Sequence, residues 1–267
     1  MPGWQCDRCT RRQVNVFSAE KCSRCGTENF CMLEEPEADV LDDAKQGWLK
    51  LDEFGRQGDR AGTPGYLQPK SLVTLLHAIP QSERNRCVFV DLGCGPGHAL
   101  CVAQHLGFLG LAGIDTADCS AVFNLNKSTC FGSKCPLHVK FKQDCVEVKS
   151  WVPDDWKEPW VIYLFWATWV AETKEKVITL LGQRKERVRF LVLVDYTKEL
   201  NGHRRTLPRL LDVGFAVYGY KTCCIMGGSG RGRFTGIILC ADKEAQGRRV
   251  GVVNDENSDG VIFVSPR

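Results

Sequence analysis

The sequence lacks any apolar run long enough to cross a membrane, and this absence sets the first limit on function. A membrane helix needs about 18 consecutive apolar residues, and no segment of the 267-residue chain approaches that length. The N-terminal stretch MPGWQCDRCTRR also lacks the apolar core of a secretory signal. These absences predict a protein of the nucleus or cytoplasm that has no membrane partner.

A strong charge of either sign is also missing. The chain has 35 Lys and Arg against 32 Asp and Glu, for a formal net charge of +3 at pH 7 with histidines neutral. This excess is too small to indicate nucleic-acid binding by itself. Hydrophobic residues make up 43% and charged residues 25%, as in soluble globular proteins. The length allows one large domain, or one medium domain with a small module.

Cysteine, in contrast, is abundant, with 15 residues. Four of them form two C-x2-C pairs near the N-terminus, separated by twelve residues. Paired C-x2-C sequences of this kind suit tetrahedral zinc. So short a module has too small a core to fold without added stabilisation such as a bound metal ion. Most other cysteines have apolar neighbours and are predicted to be buried. The predicted zinc ligands are Cys6, Cys9, Cys22 and Cys25.

Other residues of this module resemble a known family. Trp4, Asn15 and Gly26 are placed as in the Ran-binding-protein type of zinc finger. Some members of that family bind single-stranded RNA, and others bind ubiquitin through a Thr-Phe pair. Here the pair is Thr10-Arg11, so the ubiquitin signature is absent, while several arginines leave either RNA contact or a solvated surface open. The resemblance implies a finger that recruits RNA or a protein.

Changes in local composition and apolar pattern divide the chain into four parts. Residues 1–30 form the zinc finger, and residues 31–65 form an acidic, then glycine-rich linker with one short helix near 44–54. Residues 66–242 alternate apolar strands with amphipathic helices, and residues 243–267 form a polar tail. The alternation predicts an α/β fold with a doubly wound, mostly parallel sheet. The last two strands are predicted to pair antiparallel at an edge of that sheet.

One stretch, VFVDLGCGPGHAL, combines a buried strand, an acid, a glycine-rich turn and the start of a helix. In doubly wound sheets, ligands bind beyond the carboxyl ends of the strands, where Asp91 is placed. Gly93, Gly95 and Gly97 give G-x-G-x-G rather than the G-x-G-x-x-G of dinucleotide sites. Because Asp91 would repel a pyrophosphate, the loop predicts a ligand with an ammonium group. The alternative is a tight strand–helix turn without a ligand.

This stretch resembles the first motif of the seven-strand (class I) S-adenosylmethionine-dependent methyltransferases, over residues 66–242. The resemblance implies a seven-stranded sheet and S-adenosylmethionine as cofactor. It places Asp91 beside the methionine part of the cofactor, Asp115 at the ribose hydroxyls and Asp144 near the adenine amino group, each at the end of one of three successive strands. The implied cofactor-binding residues are Asp91, Gly93, Cys94, Gly95, Gly97, Asp115 and Asp144.

The fourth strand ends in YLFWATW, where members of that family meet the substrate. The Asn/Asp-Pro-Pro-aromatic tetrad of enzymes that methylate bases or glutamine is absent, as is the Pro-Cys pair of cytosine enzymes. Phe165, Trp166 and Trp169 form an aromatic cluster that either lines a pocket for a lysine amine or covers the core.

Tyr66, in GYLQPKSL, precedes the first helix of the domain and resembles, in outline, the seven-strand protein-lysine methyltransferases, including the nucleosome-core histone family. The acid that this family has near Gln68 is absent. The predicted substrate-pocket residues are Tyr66, Phe165 and Trp166. The leading prediction is methylation of a protein lysine, with histone as one candidate; the alternatives are RNA methylation and an inactive, cofactor-binding recruitment module.

Overall fold

The computed structural model describes most of the predicted methyltransferase domain and little of the chain before it. The predicted zinc finger and the short helix predicted near 44–54 lie outside the described residues. Those residues are 33, 35–42, 66–131, 135–196, 200, 206–223, 225–226, 234–241, 250–253 and 261–264.

Strands and helices alternate along most of the described chain, as the apolar pattern predicts. Within the described part, no helix is long and apolar enough to cross a bilayer. The strands are β1 (Tyr66–Leu67), β2 (Val88–Leu92), β3 (Gly110–Ile114), β4 (Leu137–Lys140), β5 (Trp160–Phe165), β6 (Val188–Tyr196), β7 (Ala216–Cys223), β8 (Ile225–Met226), β9 (Phe234–Cys240), β10 (Val250–Val253) and β11 (Val261–Val264). The helices are α1 (38–42), α2 (Pro69–His77), α3 (Gln81–Arg84), α4 (His98–His105), α5 (Ser120–Cys130), α6 (Ala171–Gln183) and α7 (Thr206–Asp212).

Seven strands form one sheet in the order β4-β3-β2-β5-β6-β9-β7. The chain runs outward from β2 to β4 on one side, then returns to β5 on the other side of β2. The strand order therefore reverses between β2 and β5, and ligands of doubly wound folds bind beyond the carboxyl ends of the strands at such a point. The predicted doubly wound, seven-stranded and mostly parallel sheet is confirmed.

The predicted antiparallel pair, β7 with β9, lies at one edge of the sheet, which confirms the prediction. β9 pairs antiparallel with both β6 and β7, so β7 is the edge strand. All seven residues of β9, FTGIILC, are buried. A strand so apolar needs a neighbour on each side and a cover on each face, which an edge position would not provide.

The sheet separates two hydrophobic cores, and β2 contributes to both. Phe89 packs with residues of α2 and α4 in one core. Val88, Val90 and Leu92 pack with residues of α6 and α7 in the other core. This alternation follows from the pleat of a strand, which points successive side chains to opposite faces. Of the nine cysteines among the described residues, seven are buried, as expected for small core residues.

Part of the predicted linker packs on the edge of the sheet. The Leu33 amide donates to the carbonyl of Tyr220 in β7, at 3.0 Å. The Glu35 carboxylate lies 2.6 Å from Lys70 Nζ in α2 and 3.0 Å from Lys221 Nζ in β7. This segment supplies a partner to an edge strand that would otherwise expose an unpaired carbonyl.

The predicted polar tail contains a pair of strands. β10 and β11 pair antiparallel, with Val250 opposite Val264 and Val253 opposite Val261. The second of these strands is the apolar segment VIFV. The pair forms a sheet of its own, separate from the seven-stranded one.

Candidate cofactor and substrate site at the carboxyl edge of the sheet

The glycine-rich loop between β2 and α4 is held against the end of β3. The amides of Gly93 and Cys94 both donate to the carbonyl of Ile114, at 2.7 and 3.1 Å. Gly93, Gly95 and Gly97 have φ values of +93°, +50° and +100°, which side chains of L-residues rarely allow. The glycines are therefore required by the path of the loop, which brings bare backbone to the carboxyl edge.

Cys94 contributes packing rather than a polar group. Its side chain is 5% exposed, and its Sγ lies 2.9 Å from where a Cβ on Gly113 of β3 would stand. Burial raises the pKa of this thiol well above its ordinary value. Only the backbone of Cys94 is thus placed to meet a ligand at the loop, and the small Gly113 makes room for its sulfur.

Asp91 is a buried acid at the next-to-last position of β2, where it is 2% exposed. Burial raises its pKa well above the ordinary value of 3.8, and the negative charge of Asp115 raises it further. Its strand neighbours in register are Gly113 and Tyr163. Burial and the charge of Asp91 also raise the pKa of the Tyr163 hydroxyl. A cationic ligand would supply the opposite charge that favours the ionised form of Asp91.

Asp115 ties the tip of the glycine-rich loop to the end of β3. Its Oδ2 accepts from the Gly95 amide at 2.7 Å, and its Oδ1 accepts from the Ala117 amide at 2.7 Å. A carboxylate oxygen can accept more than one hydrogen bond, so Asp115 retains capacity for ligand hydroxyls. A Cβ built on Gly95 would meet no atom within 4 Å, so space remains beside the loop.

Asp144 lies in a turn beyond β4, which corrects its predicted place at the end of that strand. β4 ends at Lys140, and Lys142 has a φ of +55° that turns the chain. The Gln143 amide donates to the Asp115 carbonyl at 3.0 Å, so the turn still abuts the end of β3. Asp144 Oδ1 accepts from the Val146 amide at 3.0 Å and so caps its own turn.

The aromatic residues after β5 have different surroundings. Trp166 is 0% exposed, and its Nε1 finds no hydrogen-bond partner among the described residues. Phe165 is half-buried and stacks on Phe234 of β9, with ring centroids 6.2 Å apart. Trp166 therefore covers the core, one of the two roles left open by the sequence. The role of either residue in a substrate pocket stays a prediction.

Trp169 is the aromatic residue nearest to the glycine-rich loop in this cluster. Its indole Cζ2 lies 3.4 Å from where a Cβ on Gly93 would stand. The ring is half-buried, and its centroid lies 6.2 Å from that of Trp166. The structure therefore brings the end of β5 and the loop after β2 into contact, as expected at the point where the strand order reverses.

A buried ion pair lies beside Trp166 and was not predicted from the sequence. Lys174 Nζ of α6 lies 2.6 Å from Asp195 Oδ2 of β6, with side-chain exposures of 6% and 0%. The Lys174 Nζ also lies 5.9 Å from the centroid of the Trp166 ring. The signal in the sequence was an aspartate at the end of the apolar strand VRFLVLVDY, together with a lysine on the amphipathic helix α6.

The backbone of Tyr66 pairs with the short strand that follows β7. It forms β1, in which Tyr66 pairs with Met226 of β8. β8 directly follows β7, and β1 directly precedes α2. The predicted role of the Tyr66 side chain in substrate binding stays a prediction.

Comparison with known proteins supports the fold and leaves the substrate open. No family model and no curated protein matches this sequence. A candidate RNA methyltransferase from Pyrococcus horikoshii has a similar structure, with a TM-score of 0.52, 15% identity, and coverage of 74% of this chain and 98% of that one. Magnesium protoporphyrin IX methyltransferase from Synechocystis, with bound S-adenosylmethionine, gives a TM-score of 0.45, 15% identity and coverage of 78% and 86%.

The similarity to the Pyrococcus structure supports the fold alone. The described sheet has the α/β architecture of seven-strand S-adenosylmethionine-dependent methyltransferases, as the glycine-rich motif implied. The residues of the site fit this cofactor, because a buried acid, a bare-backbone loop and a second acid with spare acceptor capacity lie at one edge. The predicted zinc ligands lie outside the described residues, among which no cluster of metal-binding side chains occurs.

Proposed function

We propose that the protein is an S-adenosylmethionine-dependent methyltransferase. The observation that carries this proposal is the buried Asp91 beside a glycine-rich loop whose tip is tied down by Asp115. Asp91 would hold the methionine end of the cofactor, Asp115 the ribose, and the turn at Asp144 the adenine. The cofactor supplies a methyl group on a positively charged sulfur, so the protein has mainly to bind, orient and exclude water.

The leading substrate is a lysine of a protein, with a histone as one candidate. Support comes from Phe165, an aromatic residue that is half-buried at the end of β5. Aromatic rings stabilise cationic amines. The absence of the Asn/Asp-Pro-Pro-aromatic tetrad argues against methylation of a base or of glutamine.

The N-terminal module is proposed to be a zinc finger that recruits the substrate macromolecule, in the nucleus or the cytoplasm. The support is the spacing of Cys6, Cys9, Cys22 and Cys25. A chelator should release zinc and unfold residues 1–30 while the cofactor domain still binds S-adenosylhomocysteine. Loss of cofactor binding on chelation would contradict this division of the chain.

Methyl incorporation into cell extract tests the proposed activity and its substrate. The purified protein is incubated with labelled S-adenosylmethionine and extract that has been treated with either a nuclease or a protease, and Asp91→Asn serves as a control with weakened cofactor binding. Label that appears in the nuclease-treated extract but not in the protease-treated extract identifies a protein acceptor. The reverse result identifies RNA and overturns the lysine proposal. Cofactor binding without any incorporation would identify an inactive recruitment module.

A further inference from the structure

We propose that the Trp169 indole binds the methylsulfonium group of the cofactor, so that the site distinguishes the charged methyl donor from its neutral thioether product. This inference rests on the proposed methyltransferase function. It assigns Trp169 to the cofactor rather than to the substrate lysine. The site would then hold the donor more firmly than the spent product, by an attraction that disappears when the methyl group leaves.

The contact between Trp169 and Gly93 places the indole next to the methionine end of the site. Gly93 is exposed, whereas its neighbours Leu92 and Cys94 are buried. The indole lies next to this glycine, with Cζ2 at 3.4 Å and Nε1 at 3.7 Å from a Cβ built there. Gly93 follows Asp91 by two residues, and Asp91 is the acid assigned to the methionine part of the ligand.

The position of the indole is set by packing behind it. The Trp169 amide donates to the Trp166 carbonyl at 3.0 Å, which closes the short turn after β5. Trp166 is fully buried beneath, and the Lys174–Asp195 ion pair supports it from α6 and β6. The half-buried ring is therefore held in place before any ligand binds, as effective electrostatic recognition requires.

A tryptophan face attracts a cation through the negative potential of its ring. Methyl transfer breaks the bond between the methyl carbon and the sulfur while a substrate lone pair forms the new bond to that carbon. The pair of electrons from the broken bond stays on sulfur, which becomes a neutral thioether. The attraction to Trp169 then ends, whereas the ammonium of the methionine part is the same in donor and product.

Asp91 provides the matched control for this argument. Its carboxylate favours the ammonium group, which both S-adenosylmethionine and S-adenosylhomocysteine carry. Asp91→Asn should therefore weaken binding of both ligands by similar factors. Trp169→Leu removes the ring but keeps an apolar side chain, and should weaken only ligands with a positive charge at the sulfur position.

The test is calorimetric titration of the full-length protein with three ligands: S-adenosylmethionine, S-adenosylhomocysteine, and an analogue with a protonated amine in place of the methylsulfonium. In Trp169→Leu, we expect affinity for the two charged ligands to fall about 5- to 30-fold. Affinity for the neutral product should change less than about twofold. Trp169→Phe keeps an aromatic ring and should therefore bind the charged ligands better than Trp169→Leu. It should still bind them less tightly than the wild type, because the face of a phenyl ring is less negative.

Thermal unfolding of each variant checks that it is folded. If Trp169→Leu does not fold, a ring-fluorinated tryptophan placed at position 169 keeps the shape and weakens the ring potential, and should lower affinity for the charged ligands alone. Equal losses of affinity for all three ligands would show that Trp169 contributes only through its shape. That result would overturn this inference and leave the proposed function intact. Failure of the wild-type protein to bind any of them would overturn both.

Discussion

Asp91 and Asp195 occupy equivalent positions in two parallel strands and have opposite surroundings. Each is the next-to-last residue of its strand, β2 or β6, and they are 2% and 0% exposed. Lys174 lies 2.6 Å from Asp195 and neutralises it. The nearby charge that acts on Asp91 is Asp115, a second acid, which raises its pKa. One aspartate thus has its cation within the fold, and the other is arranged to receive a cation from a ligand.

The two aspartates differ in whether the protein or a ligand supplies the neutralising charge. Burying a carboxylate costs free energy unless an opposite charge accompanies it. At β6 the fold supplies that charge from Lys174, which also packs against Trp166. At β2 the cost is left in the folded protein, and it is offset when a cationic ligand binds.

The largest effect should come from breaking the ion pair of Asp195. Lys174→Met leaves a buried carboxylate without its cation, which should lower the free energy of unfolding by about 3–5 kcal/mol. Urea denaturation followed by circular dichroism measures this loss. The double variant Lys174→Met, Asp195→Leu should recover most of it, because no charge is then buried. A single variant as stable as the wild type would show that the pair contributes nothing.

Asp91→Asn should have the reverse profile, with weakened ligand binding and an undiminished fold. We expect a loss of about 2–3 kcal/mol in binding S-adenosylhomocysteine, since a charged hydrogen bond is removed. Asp144→Asn, in a turn that caps itself, should lose about 1 kcal/mol or less. Titration calorimetry compares the two. Equal losses would contradict the placement of Asp91 beside the cationic end of the ligand.

The raised pKa of Asp91 also predicts a dependence on pH. Between its ordinary value of 3.8 and its raised value, the folded protein holds a proton on Asp91 that the unfolded chain has lost. Stability from this group therefore falls as pH rises through that window. Binding of a cation favours the ionised carboxylate, so affinity should rise with pH there by up to about tenfold per pH unit.

Proton release on binding gives the direct measurement of this linkage. Titration of the wild type with S-adenosylhomocysteine in buffers of different ionisation enthalpy should reveal protons released to the buffer. Asp91→Asn should release fewer, since Asn carries no titratable proton. The neighbours Asp115, Tyr163 and Cys94 are unchanged in that variant. The difference in proton release between the two proteins therefore reports on Asp91. Identical release by both proteins would exclude Asp91 as the source.

The smallest effect should come from the exposed ion pairs of Glu35. Its carboxylate lies near Lys70 and Lys221, but its side chain is 48% exposed. Solvent screens such pairs, so Glu35→Gln should cost less than about 1 kcal/mol of unfolding free energy. Urea denaturation in low and high salt measures the change and its screening. A cost as large as that of Lys174→Met would remove the distinction between buried and exposed pairs.

The sequence predicted the parts of this molecule that depend on neighbouring residues. The strand VFVDL, the three glycines of positive φ and the helix after them follow from local apolar runs and backbone freedom. The same local signals predicted helix α6 and the antiparallel pairing of β7 with β9. They placed Asp144 too close to its strand, because the ends of elements depend on turns such as the one at Lys142.

By itself, the sequence determined the alternation of strands and helices and the acid-and-glycine loop, since both are encoded over a few consecutive residues. Only the tertiary structure decided that β9 lies between β6 and β7, that Trp169 lies next to Gly93 and that Lys174 neutralises Asp195. These contacts join residues that are far apart in the chain. Their partners are selected by how the whole sheet packs and by the cost of burying charge, which no local pattern specifies.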